Sequence, residues 1–163
     1  MHSSSIIAIV SLGFVLGTAR LVSQTPPRLT AADLLLPGVP DRADTSAVHR
    51  VLGPPDSIAK GDDPSQASGE LPTWWYRDLR VVFADGRELH GWWLTGPSRS
   101  TTRGLRVGAP RAEVQNLYGR PTNSYGDSVL VYCEPHGGSV PRCMYISIAR
   151  GHVRDIYIGR NID

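Results

Sequence analysis

Apolar residues recur along this chain with two different periods. Val48, Val51 and Leu52 stand at i, i+3 and i+4, and Val114, Leu117 and Tyr118 repeat that spacing, the stripe of a short amphipathic helix. Each stripe runs into a glycine with a proline two residues later, Gly53-Pro54-Pro55 and Gly119-Arg120-Pro121, a stop signal that caps a helix and forbids its continuation. Asp44 or Thr45 is placed to cap the first helix, and Pro110 suits the first helical position of the second, with Glu113 near its positive end. Upstream, Thr30 caps a further short helix running to Leu36, which Pro37-Gly38 ends.

Elsewhere the period is two, which predicts strands over residues 73–77, 79–84 and 87–95, and again over 128–133, 142–149 and 153–158. Asp85-Gly86 is a two-residue hairpin signal, and Arg150-Gly151-His152 is its later counterpart. Residues 61–69, rich in Gly, Asp, Ser and Pro, read as a mobile loop. Gly38 and Gly104 precede the two helical stripes at matching distances, so the helix-then-strands unit occurs twice. The pattern predicts an α+β fold of two tandem helix-plus-antiparallel-meander repeats, residues 30–96 and 101–163, forming one sheet with short helices packed on one face.

Strand alternation also sorts side chains by face. Trp74 and Tyr76 go to one face and Trp75 to the other, and Trp92 and Trp93 are split in the same way. Leu130, Tyr132, Met144, Ile146 and Ile148 make the better core face, leaving Val129, Val131, Tyr145 and Ser147 on the side that Cys133 and Cys143 would share. One large aromatic of each pair therefore remains outside the core, and aromatics gathered on an uncovered sheet face mark a binding surface.

The start of the chain is different in kind. An apolar run over residues 6–19 is too short for a membrane span and suits a signal peptide, so residues 1–24 are assigned to one, with an uncleaved anchor as the alternative. Residues 25–29 follow as an extended tether. This makes the protein exported, periplasmic or secreted, touching a membrane only through an uncleaved N-terminal segment. In that compartment Cys133 and Cys143, at the two ends of a hairpin loop, are expected to form a disulfide.

Composition narrows the function. At 163 residues with 40% hydrophobic and 20% charged residues, the chain has the makeup of a globular protein. A net charge of +2 with scattered arginines argues against a nucleic-acid partner. Ser57-Ile58-Ala59-Lys60 fits the Ser-x-x-Lys pattern of penicillin-recognising acyl-enzymes, but with Lys60 the only lysine there is none left for the Lys-Thr-Gly partner motif. Cys133, His136 and Cys143, with His152 as a fourth ligand, could hold zinc, although their spacing matches no common zinc pattern. His49 and His90 have no acidic or thiol neighbour in sequence and read as surface or strand residues.

The recurring set of Gly38 or Gly104, a short helix, Leu52-Gly53-Pro54-Pro55 or Tyr118-Gly119-Arg120-Pro121, a tyrosine-bearing strand (Tyr76, Tyr132) and the Phe83-Ala84-Asp85-Gly86-Arg87 hairpin resembles the superfamily of the β-lactamase inhibitor protein and the SmpA/OmlA outer-membrane assembly lipoproteins. The resemblance spans residues 30 to 160. It implies helix-loop-helix units on an antiparallel sheet, in tandem, whose open face is free for a protein partner. The positions nearest to the inhibitors' aromatic grip are Trp75, Trp93 and Tyr145. No cysteine lies near the end of the apolar run, a departure from the lipoprotein members. The resulting expectation is an exported, non-catalytic binding protein without a cofactor, its partner a protein in the envelope or outside the cell. The alternatives are a cell-wall glycan or peptide module and, third, a hydrolase or metal enzyme.

Overall fold

The structure, a computed structural model, describes residues 28–62, 70–84, 87–135 and 141–160. The signal segment over residues 1–24, most of the loop and tether expectations, and the Asp85-Gly86 turn lie outside these residues. Among the described residues eight strands form one antiparallel sheet: β1 (Ser57–Asp62), β2 (Glu70–Tyr76), β3 (Leu79–Ala84), β4 (Glu88–Leu94), β5 (Asn123–Tyr125), β6 (Val129–Cys133), β7 (Arg142–Ala149) and β8 (His152–Arg160). Their order is β1-β2-β3-β4-β8-β7-β6-β5, so the last strand of each half lies at the centre and the first at an edge. Helices α1 (Thr45–Leu52) and α2 (Arg111–Tyr118), with a 3-10 turn at Ala31–Leu34, complete an α+β fold.

Local chemistry fixes the ends of the helices. The Asp44 carboxylate accepts from the Ala47 N–H at 2.7 Å and caps α1. Pro110 sits one position earlier than the sequence suggests, as the extended residue before α2. Gly53 and Gly119 end the two helices at φ 78° and 73°, where a side chain would be strained. The helix expected to reach Leu36 is a single 3-10 turn, tied by the Asp33 carboxylate accepting from the Thr30 N–H and hydroxyl at 2.7 and 2.8 Å.

One apolar core runs under both helices and across all the central strands. Val48, Leu34, Leu105, Val114 and Tyr118 bury against Leu79, Val81, Phe83, Trp92, Leu94, Leu130, Tyr132, Met144, Ile146, Ile156 and Ile158. Full burial of a side chain of this size contributes roughly 1.5–3 kcal/mol. The helix stripe is narrower than its spacing suggests, because Val51 is 45% exposed and lies beside Gly38 instead of on the sheet. With Val48 pointing straight down, Leu52 falls about 40° to one side and Val51 about 60° to the other, past the edge of the contact.

Corresponding contacts occur in the two halves. The Tyr76 hydroxyl donates to the Gly53 carbonyl at 3.3 Å and the Tyr132 hydroxyl to the Gly119 carbonyl at 3.1 Å. Leu89 N–H donates to Ala43 C=O, and Val153 N–H to Ala109 C=O. Each half has one register shift, between Val82 and Phe83 against β4 and between Ser147 and Ile148 against β8, leaving His90 and Arg154 as the extra residues. Counted from these bulges, Trp93 and Tyr157 occupy corresponding positions, and they are also direct cross-strand partners.

β1 and β5 were not anticipated. Ser57 to Asp62 is extended, so Ser57 and Lys60 lack the helical turn that the Ser-x-x-Lys pattern requires, and two residues assigned to a loop belong to a strand.

Candidate functional site

The sheet face away from the helices carries the residues that alternation left over. Reading across the strands from edge to edge, Ser57, Trp75, Arg80, Trp93, Tyr157, Tyr145, Val131 and Asn123 are successive cross-strand partners. Successive partners in an antiparallel sheet share a face, with Cβ atoms about 4.5–5.5 Å apart. The three positions anticipated as a site, Trp75, Trp93 and Tyr145, are therefore brought onto one face and into one row. They are half-buried.

Two residues in the middle of the row were missed, besides Ser57 and Asn123 at its ends. Tyr157 is 7% exposed and stands between Trp93 and Tyr145, stacked on the first at 4.2 Å and 24° and on the second at 5.7 Å and 25°. Arg80 is exposed, and its guanidinium carbon lies 3.9 Å above the Trp75 ring. Alternation with Ile156 and Ile158 marks Tyr157, and alternation with Leu79 and Val81 marks Arg80. The missing signal was the pairing of β4 with β8, which no local pattern encodes.

The row rests on a second, flatter one. Gly91 pairs with Gly159, and Cys143 with Cys133, beside Val82 and Thr73. The two glycines provide the space into which Tyr157 leans: a Cβ on Gly91 would lie 2.8 Å from the Tyr157 ring, and one on Gly159 would fall on its hydroxyl. Cys133 and Cys143 are joined as a disulfide across β6 and β7. Their thiols are thus unavailable to a metal, which removes the zinc site considered with His136 and His152; His136 lies outside the described residues, and among these no group of three or more metal-ligating side chains converges.

Charge on this face is sparse. Asp155 accepts from the Ser147 hydroxyl at 2.7 Å and from Arg154 Nε at 2.7 Å. The most strongly displaced pKa values belong to groups on the helical side. Asp33, hydrogen-bonded to Arg103 at 2.7 Å, is held down to about 2. Burial pushes Tyr132 up to about 12 and also raises Tyr118, whose hydroxyl shares a 2.7 Å hydrogen bond with Thr101. His90, expected at the surface or on a strand, is buried at the β4 bulge, while His49 is exposed and meets Trp74 edge-on at 6.4 Å.

Two depressions lie off the aromatic row. One, of about 540 Å³, is lined by Arg111, Asp127, Ser128, Ile148, Arg150 and Gly151. The other, of about 370 Å³, lies where Arg28 and Leu29 meet Tyr118, Tyr132 and Arg120. Among the described residues no helix is long and apolar enough to cross a membrane.

No protein-family model matches the chain, and no curated protein matches it at a significant level. Among solved structures, the fold is similar to that of an extracellular protein containing a SCP domain from Bacillus anthracis str. Ames, with a TM-score of 0.52 and 10% sequence identity. The likeness covers 83% of this chain and 48% of that one, so this chain spans about half of its length. At such identity the likeness is one of fold.

Proposed function

We propose that this chain is an exported, non-catalytic binding protein, built from two copies of one helix-plus-meander unit, whose helix-free sheet face grips a protein partner in the cell envelope or outside the cell. The observation that carries the reading is the row of Trp75, Arg80, Trp93, Tyr157 and Tyr145 across the middle of that face. Aromatic and arginine side chains supply most of the energy in protein interfaces, because they bury much area at little entropic cost. A role like that of the β-lactamase inhibitor protein superfamily fits the same face. The disulfide supports export, since such bonds persist in oxidising compartments, and the similar solved structure is itself described as extracellular. The matched contacts of Tyr76 with Gly53 and Tyr132 with Gly119 support the two-copy reading.

A glycan module is the weaker reading. A sugar ring packs on the open flat of an aromatic ring, whereas Tyr157 has both flats covered by Trp93 and Tyr145, and one flat of Trp75 is covered by Arg80. The row offers ring edges, which suit the mixed surface of a protein.

The test is affinity capture from envelope and secreted fractions, with the protein and its Trp75→Ala/Trp93→Ala variant as parallel baits, each checked by circular dichroism for its fold. A protein caught by the first, lost by the folded variant and rebinding when purified is the expected result. Equal capture by both baits, or displacement by soluble cell-wall glycans, would overturn the reading.

A further inference from the structure

We infer that the partner docks by an acidic contact: a carboxylate set on Arg80, with an apolar side chain beside it on the Trp93–Tyr145 stack. The inference rests on the binding-face reading above and specifies its chemistry.

Among the described arginines without a carboxylate partner, Arg80 is set apart by its place over an aromatic ring. Arg42, Arg103, Arg111, Arg142 and Arg154 each face a carboxylate at 2.5–3.7 Å. Among the described residues Arg80 has no carboxylate partner; it is exposed, and its guanidinium is held over the Trp75 ring at 3.9 Å. Stacking of this kind holds the cation in place without neutralising it, so the donor fork is oriented before a ligand arrives. Little rotamer freedom then remains to be lost on binding.

A second observation points the same way. Trp75 Nε1 is buried and has no hydrogen-bond acceptor, although indole N–H groups usually find one when buried. An unneutralised cation and an unaccepted donor thus occupy directly paired positions of β2 and β3. Of the two, the exposed Arg80 is the one a partner can reach, and a carboxylate is the group that offers two acceptor oxygens to a guanidinium in matching geometry. The Asp155 carboxylate of the same face does not meet that need, being engaged by Ser147 and Arg154.

The uneven distribution of charge along the row makes the contact directional. Arg80 corresponds in the second half to Tyr145, and Trp75 to Val131, judged from the parallel pairings of Trp75 with Arg80 and Val131 with Tyr145. Within the row, positive charge therefore lies on one side only of the Trp93–Tyr157 stack. A partner with one acidic residue next to an apolar one has a single orientation on this face. A nucleic acid or sulfated polysaccharide would call for a track of cations, and the row has one.

The experiment selects random short peptides on the immobilised protein and measures the selected sequences, made synthetically, by fluorescence titration. Expected are peptides enriched in Asp or Glu beside an apolar residue. They should bind Arg80→Gln about tenfold or more weakly and Arg80→Lys in between, as the loss of a charge-assisted hydrogen bond implies. Replacing the peptide's acidic residue by its amide should give the same loss and add nothing in Arg80→Gln. Peptides lost by Trp93→Ala but indifferent to Arg80→Gln would overturn the acidic contact and leave the face reading standing. Peptides indifferent to both variants, or no selected peptide at all, would overturn both. Displacement by heparin or single-stranded DNA at concentrations near the peptide's own would make the face a polyanion site and also overturn the inference.

Discussion

The Tyr132 hydroxyl donates to the carbonyl oxygen of Gly119 at 3.1 Å, joining a central sheet residue to the glycine that ends α2. The last carbonyls of a helix have no partner within it, and a buried one left bare costs free energy. Tyr76 and Gly53 make the same bond at the end of α1. Each helix is thus anchored to the sheet at its C-terminus by a phenol.

Tyr132→Phe should lower stability by about 1 kcal/mol, read by urea unfolding, since it removes one hydrogen bond and leaves its acceptor buried. The same residue makes the protein sensitive to alkali. Burial raises Tyr132 to about 12, above its unfolded value of 10.0. The folded state holds the proton more tightly, so this contribution is whole below about pH 10 and is lost as pH rises from about 10 to 12. The melting temperature should fall over that window together with tyrosine ionisation at the ultraviolet shoulder. A smaller fall is expected in Tyr132→Phe.

Arg103 should matter more than any other charged residue. It donates to Asp33 through Nε at 2.9 Å and through a terminal nitrogen at 2.7 Å, and to the carbonyls of Leu117 and Arg28 at 2.9 Å each. One guanidinium therefore ties the 3-10 turn and the chain before it to the end of α2. Arg103→Ala should cost about 2–4 kcal/mol, because it leaves the Asp33 carboxylate and two carbonyls without their donor. Asp33, held by Arg103 at about 2 against an ordinary 3.8, adds acid sensitivity. Its contribution, on the order of 1–2 kcal/mol, is present above about pH 4 and is lost between about 4 and 2. Asp33→Asn should flatten that part of the stability profile.

Legibility in the sequence followed burial. β3 at Leu79–Ala84 and β7 at Arg142–Ala149 have the bounds that alternation gives, because one face of each is fully in the core and the pattern has something to report. β1 escaped notice because Ser57, Ile58 and Ala59 are all exposed on an edge strand, so selection for a buried face left no period of two. The three exposed residues of β5 escaped for the same reason. Trp75, Trp93 and Tyr145 could each be assigned a face from local alternation. That they stand in one row depends on β4 meeting β8, a contact between distant segments set by the packing of the whole sheet.

Reduction of the Cys133–Cys143 disulfide should lower the unfolding free energy by roughly 2–3 kcal/mol and leave a single transition. β6 and β7 also pair along their full facing lengths, and the core beneath them continues into the first half through Phe83, Trp92 and Leu94. Differential scanning calorimetry under reducing conditions checks this. Two separate transitions would mean that the halves unfold independently despite the shared core.

Gly159→Ala tests whether the Tyr157 ring depends on the glycine pair beneath it. A Cβ at this position would fall on the Tyr157 hydroxyl, and the ring has no free direction to retreat, with Trp93 on one flat and Tyr145 on the other. The strain must be relieved by tilting the stack or spreading β4 from β8, so a cost of about 1–3 kcal/mol is expected. Gly53→Ala supplies the contrast: nothing lies within 4 Å of the added methyl, and its cost comes from the backbone at φ 78° alone. The near-ultraviolet circular dichroism should separate them, because coupled Trp and Tyr transitions report ring geometry. Gly159→Ala should change that spectrum while the far-ultraviolet signal holds, and Gly53→Ala should leave it as it was. An unchanged aromatic spectrum in Gly159→Ala would mean that the ring moves freely, and the row across the sheet would then be no rigid surface for a partner.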